Sequence, residues 1–109
     1  PSGMSFRRVS EVAEVVGMEE GTVQLNKIFQ WNPERDTIEN VSITSHTLEQ
    51  IANLSGKSIT ELHHEIENRK IVLKHMINQD IRSVEDVNSV IELYYKNPQK
   101  VLNRIILNR

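Results

Sequence analysis

The sequence predicts an α+β fold, with an antiparallel meander of about three strands over residues 5–43 followed by four helices over residues 45–107. Three observations carry this. The first forty-odd residues are rich in valine and alternate apolar with polar residues, the pattern of a half-covered strand. From Ser45 the apolar period changes to that of a helix. All strands precede all helices, so the alternating order of a parallel βαβ fold is missing.

The first strand is expected over residues 5–16, Ser-Phe-Arg-Arg-Val-Ser-Glu-Val-Ala-Glu-Val-Val, which contain no glycine or proline. Gly17 and Gly21 bracket a polar turn. Val23, Leu25, Lys27, Phe29 and Trp31 then fall on one strand face by period-two alternation. Asn32-Pro33-Glu34-Arg35-Asp36 reads as a turn, because proline fixes φ and the flanking Asn and Asp offer local hydrogen bonds. Thr37 to Ile43 returns as the third strand.

Leu48, Ile51, Ala52 and Leu54 line one face of the first helix, and Gly56 sits where a C-terminal cap belongs. Ser58 and Glu61 form a capping box, after which Ile59, Leu62, Ile66, Leu73, Met76 and Ile77 make one stripe along the longest element. Ser83 and Asp86 form another capping box. Val84, Val87, Val90, Ile91 and Tyr94 give the third helix its apolar face. Asn97-Pro98 closes that helix and opens a fourth, because proline is pre-set for a first helical turn and disfavours helical geometry in the residue before it. Val101, Leu102, Ile105 and Ile106 are the fourth helix's apolar face.

At 109 residues, 1–109 reads as one domain, large enough to bury roughly two thirds of its unfolded surface. The chain has no cysteine, so it has neither disulfides nor thiolate metal ligands. Its net charge of −2 is unevenly spread: residues 1–44 carry four basic and seven acidic groups, and residues 81–109 carry five basic and three acidic. Neither balance announces nucleic acid, and no apolar run reaches the length of a membrane span.

Helix, turn with Gly56 and capped helix across Leu48 to Leu62 have the spacing of a helix-turn-helix DNA reader. That keeps open a stand-alone helical interaction module or DNA-binding regulator as an alternative function. Against DNA, the second helix opens with Thr60, Glu61, His63, His64 and Glu65, and carboxylates there would repel phosphate. His64-Glu65 has the first half of a zinc-protease helix motif, but the position four residues on is Asn68, and the adjacent His63 and His64 point about 100° apart. They read as exposed surface histidines. With glycines only at 3, 17, 21 and 56, no phosphate-cradling loop can be written, and no nucleophile elbow is present. The chain alone is expected to hydrolyse no nucleotide and to carry no catalytic, cofactor or metal residues.

Arg7 and Arg8 form an arginine pair that can hold a phosphate or a neighbouring subunit's carboxylates in its planar forks, or pair with Glu11 or Glu14 on the strand. Phe29 and Trp31 offer interface anchors or cover for a core. Arg69, beside the stripe of the long helix, reads as a snorkelling stem with a salt bridge.

Several separated segments resemble one family, the archaeal branch of the type II/IV secretion ATPases that power secretion, pilus and archaellum assembly. They are Arg7-Arg8-Val9-Ser10-Glu11-Val12-Ala13-Glu14-Val15, Leu25-Asn26-Lys27-Ile28-Phe29-Gln30-Trp31-Asn32-Pro33 with Asp36, and Leu48-Glu49-Gln50-Ile51-Ala52. Glu65-Ile66-Glu67-Asn68-Arg69-Lys70-Ile71-Val72-Leu73 and the run from Ile81 to Pro98 complete an ordered set over residues 5–105. Asn32 stands where the family often has aspartate, and Asn78-Gln79-Asp80 lacks the glycine common before the isoleucine-arginine pair.

The resemblance implies the C-terminal portion of a larger protein whose core binds ATP and Mg²⁺ and assembles as a homo-hexamer. The Walker loop and acidic boxes would lie upstream of residue 1, so no catalytic residue is carried over. Implied partners are the parent ATPase core, neighbouring subunits and a membrane platform protein, without nucleic acid, at the cytoplasmic face of the membrane. A strand taken out of such a sheet exposes an edge, so the isolated chain is expected as a monomer or a weak edge-paired dimer.

Overall fold

A computed structural model describes residues 5–107. It holds three antiparallel strands followed by four helices, the α+β order that the sequence predicts. The chain divides into two compact units, residues 1–57 and 58–109.

In the first unit, β1 (Glu11–Glu19), β2 (Thr22–Asn32) and β3 (Thr37–Asn40) form a sheet in the order β1-β2-β3. The first strand differs from the expected 5–16: it starts at Glu11 and runs through Gly17. The turn is two residues tight, Glu20 and Gly21 at φ 51° and 77°, and two positive φ values suit the right-handed twist of a hairpin. β3 stops at Asn40 instead of Ile43, because the Asn40 side-chain oxygen takes the Ser42 N–H at 3.1 Å and turns the chain away.

Register explains how the faces are composed. Ala13 pairs with Lys27 and Val12 with Phe29, so Ile28 is an extra residue on β2; likewise Val15 pairs with Leu25 and Gly17 with Gln24, leaving Val16 extra on β1. Each bulge shifts the alternation by one. Lys27 and Phe29 therefore lie on opposite faces, which corrects the single face expected from Val23 to Trp31. One face carries Val15, Met18, Val23 and Leu25, with Lys27 bonded to Glu11 at 3.1 Å. The other carries Val12, Glu14, Asn26, Phe29, Trp31 and Ile38.

Helix α1 (His46–Ser55) starts where Ser45 leaves extended geometry and its hydroxyl accepts the Leu48 N–H at 3.2 Å. It ends at Gly56, whose φ of 73° supplies the left-handed cap. Leu48 and Ala52 are half-buried, but Leu54, expected on the same face, is 89% exposed.

The second unit contains α2 (Ile59–Asn78), α3 (Val84–Lys96) and α4 (Pro98–Leu107), with α4 packed against both others. Val72, Met76, Leu102 and Ile105 form its core, ringed by Ile71, Ile81, Val87, Val90, Tyr94 and Val101. The stripe on α2 is displaced from the expected one: Val72 is buried, whereas Leu73 and Ile77 face solvent.

Caps set the corners. Ser58 and Glu61 close a reciprocal capping box at α2. At α3 the Ser83 hydroxyl accepts the Asp86 N–H at 3.1 Å without the return bond, since aspartate is a methylene shorter than Glu61. Asn97 ends α3, and its Oδ1 accepts the Lys100 N–H at 3.2 Å, so one residue serves two helices. At the end of α2, Ile81 N–H reaches Met76 O and Asp80 N–H reaches Ile77 O, with Asp80 at φ 55°. This is a Schellman cap with aspartate in its left-handed position, where glycine is the usual residue. None of the described helices is long and apolar enough to cross a membrane.

Candidate functional site

Every residue of the first unit that the structure describes is at least partly exposed, and the buried side chains all belong to the second. Apolar residues stand out on both sheet faces: Val15 65%, Met18 70% and Leu25 58% on one, Val12 45% and Ile38 53% on the other. A sheet needs at least one covered face, so this one has the surface of an interface.

Of the arginine pair, Arg8 is already engaged. Its Nε and terminal nitrogen hold both oxygens of Asp36 at 2.7 and 2.9 Å, a fork-to-fork pair. Neither Glu11 nor Glu14 is the partner, because Glu11 bonds Lys27 and Glu14 is used elsewhere. The Trp31 indole N–H donates to Asp36 Oδ1 at 2.9 Å, the Phe6 ring meets Trp31 edge-on at 6.4 Å, and the Arg8 guanidinium lies 4.9 Å from the Phe6 centroid. Asp36 reaches this position from φ 50° at the end of the β2–β3 turn. The Arg8 hydrogen bond, helped by Trp31, holds its carboxyl at about 2. Arg7 makes no side-chain bond among the described residues, so it is the member of the pair left to meet an outside anion.

Trp31 and Phe29 keep a common face despite the bulge, since both follow it. Trp31 is half-buried and pinned by Asp36, whereas Phe29, 37% exposed, lies beside Val12 and is the freer anchor. Asn32 holds the turn: its Oδ1 accepts the N–H groups of Glu34 and Arg35 at 3.0 and 3.4 Å.

Sequence reasoning missed Glu14. From β1 its carboxylate accepts the N–H groups of His46 and Thr47 at 2.7 and 2.9 Å, the Asn26 amide at 2.8 Å and the Ser45 hydroxyl at 3.1 Å. Asn26 leads the bonds, and the backbone donors of α1 add to them, holding the carboxyl at about 2. The acid completes the N-terminus of a helix that follows it by more than thirty residues. The local pattern gave no signal for it, because the Ser45 cap and the first-turn Glu49 already account for this helix start.

In the second unit Arg69 makes no salt bridge among the described residues; its guanidinium lies 5.8 Å from the Tyr95 centroid. The face of α2 with Thr60, Glu61, His64, Glu65 and Asn68 lines a shallow hollow. Among the described residues no three His, Asp or Glu side chains are grouped to hold a metal ion.

No protein-family profile matches the chain. An uncharacterized protein of Methanocaldococcus jannaschii is 29% identical over 106 residues, which cover 95% of this chain and 15% of that protein. The chain thus spans about 15% of the length of the relative it matches.

Proposed function

We propose that the chain is the non-catalytic C-terminal part of a hexameric motor ATPase of the archaeal secretion, pilus and archaellum type. The observation that carries this reading is the sheet whose apolar residues stand uncovered on both faces. Such a sheet calls for further protein packed on its faces, which a larger parent would supply, and the ordered segments from Arg7 to Pro98 resemble that family's terminal region. A relative far longer than this chain, from an archaeon, fits the same picture.

The chain's part in the cycle is mechanical. ATP and Mg²⁺ would bind in the parent core, and three capped helices packed on Val72, Met76, Leu102 and Ile105 would move as one piece when the core changes state. The partners on this reading are that core, neighbouring subunits of the ring and a membrane platform protein, at the cytoplasmic face. Arg7, Phe29 and the apolar sheet faces are the contact candidates.

Reading the coding sequence upstream of residue 1 tests the proposal. A phosphate-binding Gly-x-x-x-x-Gly-Lys-Ser/Thr loop in the same frame is expected. A reading frame that starts at Met4 would overturn it.

A further inference from the structure

The corner where α3 meets α4 contains a recess of about 290 Å³ lined by Leu93, Lys96, Asn97, Lys100, Val101 and Arg104. Part of its lining is apolar, from half-buried Val101 and from Leu93, which is 54% exposed. Much of the rest is cationic. Lys96, Lys100 and Arg104 make no side-chain hydrogen bond or ion pair among the described residues, although Glu92 lies one helical turn before Lys96. From Leu93 to Arg109 the chain has four basic residues and no aspartate or glutamate, while Glu85, Asp86 and Glu92 all precede this stretch. Asn97 fixes the corner by accepting the Lys100 N–H, so the cations project from a defined frame.

We propose that this recess docks an acidic amphipathic helix of a protein partner. Lys100 and Arg104 are one turn apart on α4, with Cβ atoms about 5–6 Å from each other, a spacing that carboxylates one turn apart on a partner helix reproduce. An apolar side chain between those carboxylates packs on Leu93 and Val101, with Lys96 as a third cation of the lining. The charge complementarity steers approach and sets register, while the apolar contact holds the complex.

The shape separates this occupant from other anions. A bilayer is flat and meets a broad basic face, whereas these three cations line one recess together with Leu93 and Val101. Nucleic acid follows a long basic track, and this unit also presents Glu61, Glu67 and Glu85. The dock does not depend on the motor reading, since it rests on the second unit's own residues.

The probe is a fluorescein-labelled, alanine-rich helical peptide with glutamates one turn apart flanking leucine, titrated with the 109-residue chain by anisotropy. Binding is expected, with amide shifts at Leu93, Asn97 and Val101, and the double substitution Lys100→Gln/Arg104→Gln should weaken it about tenfold or more. Circular dichroism checks that the exposed substitutions leave the helices intact. Three outcomes overturn the proposal: equal binding by the double variant, equal binding of a glutamine version of the peptide, or no peptide binding. Capture of phosphatidylglycerol vesicles or duplex RNA in place of the peptide, lost in the same variant, would reassign the recess.

Discussion

Glu14 and His46 join the sheet to α1: the carboxylate on β1 accepts the His46 N–H at 2.7 Å, and its second oxygen takes the N–H of Thr47. A strand side chain thereby adds a second carboxylate to a helix whose own first turn holds Glu49.

The bond should make α1 sensitive to acid. The Glu14 carboxyl sits at about 2 against an ordinary 4.5, so its stabilisation is fully present above the ordinary value and is lost as pH falls through about 2. Carboxyl carbon chemical shifts should show Glu14 titrating near 2, with the His46 and Thr47 amides exchanging faster as it protonates. Glu14→Gln should give fast exchange at those amides already at neutral pH.

Trp31 is the chain's one tryptophan and reports on Asp36 through the indole bond. Because the Arg8 hydrogen bond is the largest cause of the low Asp36 carboxyl, Arg8→Ala should move the acid transition of the indole N–H resonance up from about 2 toward the ordinary 3.8. Asp36→Ala should remove that transition. The stability linked to Asp36 is present above 3.8 and lost as pH falls through about 2, so both variants should flatten unfolding curves measured in acid.

Two left-handed cap positions should respond in opposite directions. At Gly56, φ 73° penalises a side chain although the space is open, so Gly56→Ala should cost about 1 kcal/mol. At Asp80, φ 55° already holds a side chain, and its bond to Arg82 is exposed, so Asp80→Gly should stabilise by about 0.5–1 kcal/mol. Denaturant unfolding of each variant measures both.

Much of this frame is written locally. Ser58 with Glu61, Gly56 and Asn97-Pro98 announce helix ends through contacts within a few residues, and the sequence alone identifies them. The faces of the sheet are not written that way, because the extra residues Ile28 and Val16 shift register with no distinctive side chain to mark them. The Arg8–Asp36 pair spans 28 positions, and Glu14 reaches His46 across 32, so neither follows from periodicity. The α2 stripe centres on Val72 because burial depends on which turns α4 covers, and α2's own pattern fits Leu73 as well.

The two units should respond differently to substitution. Leu102, 4% exposed, lies in the helical core, and Leu102→Ala should cost about 2–5 kcal/mol. Leu25, 58% exposed on the sheet, should tolerate Leu25→Asp within about 0.5 kcal/mol in the isolated chain. In the complete gene product the same aspartate should disrupt assembly, visible as loss of the ring in sedimentation. An unchanged ring would show that this face of the sheet stays free.

Mg²⁺-dependent ATP hydrolysis, measured side by side for the complete gene product and for this 109-residue chain, tests the motor reading most directly. Turnover by the complete protein and none by the chain alone is expected. Absence of hydrolysis by a folded, complete gene product, or turnover by the isolated chain, would contradict that reading.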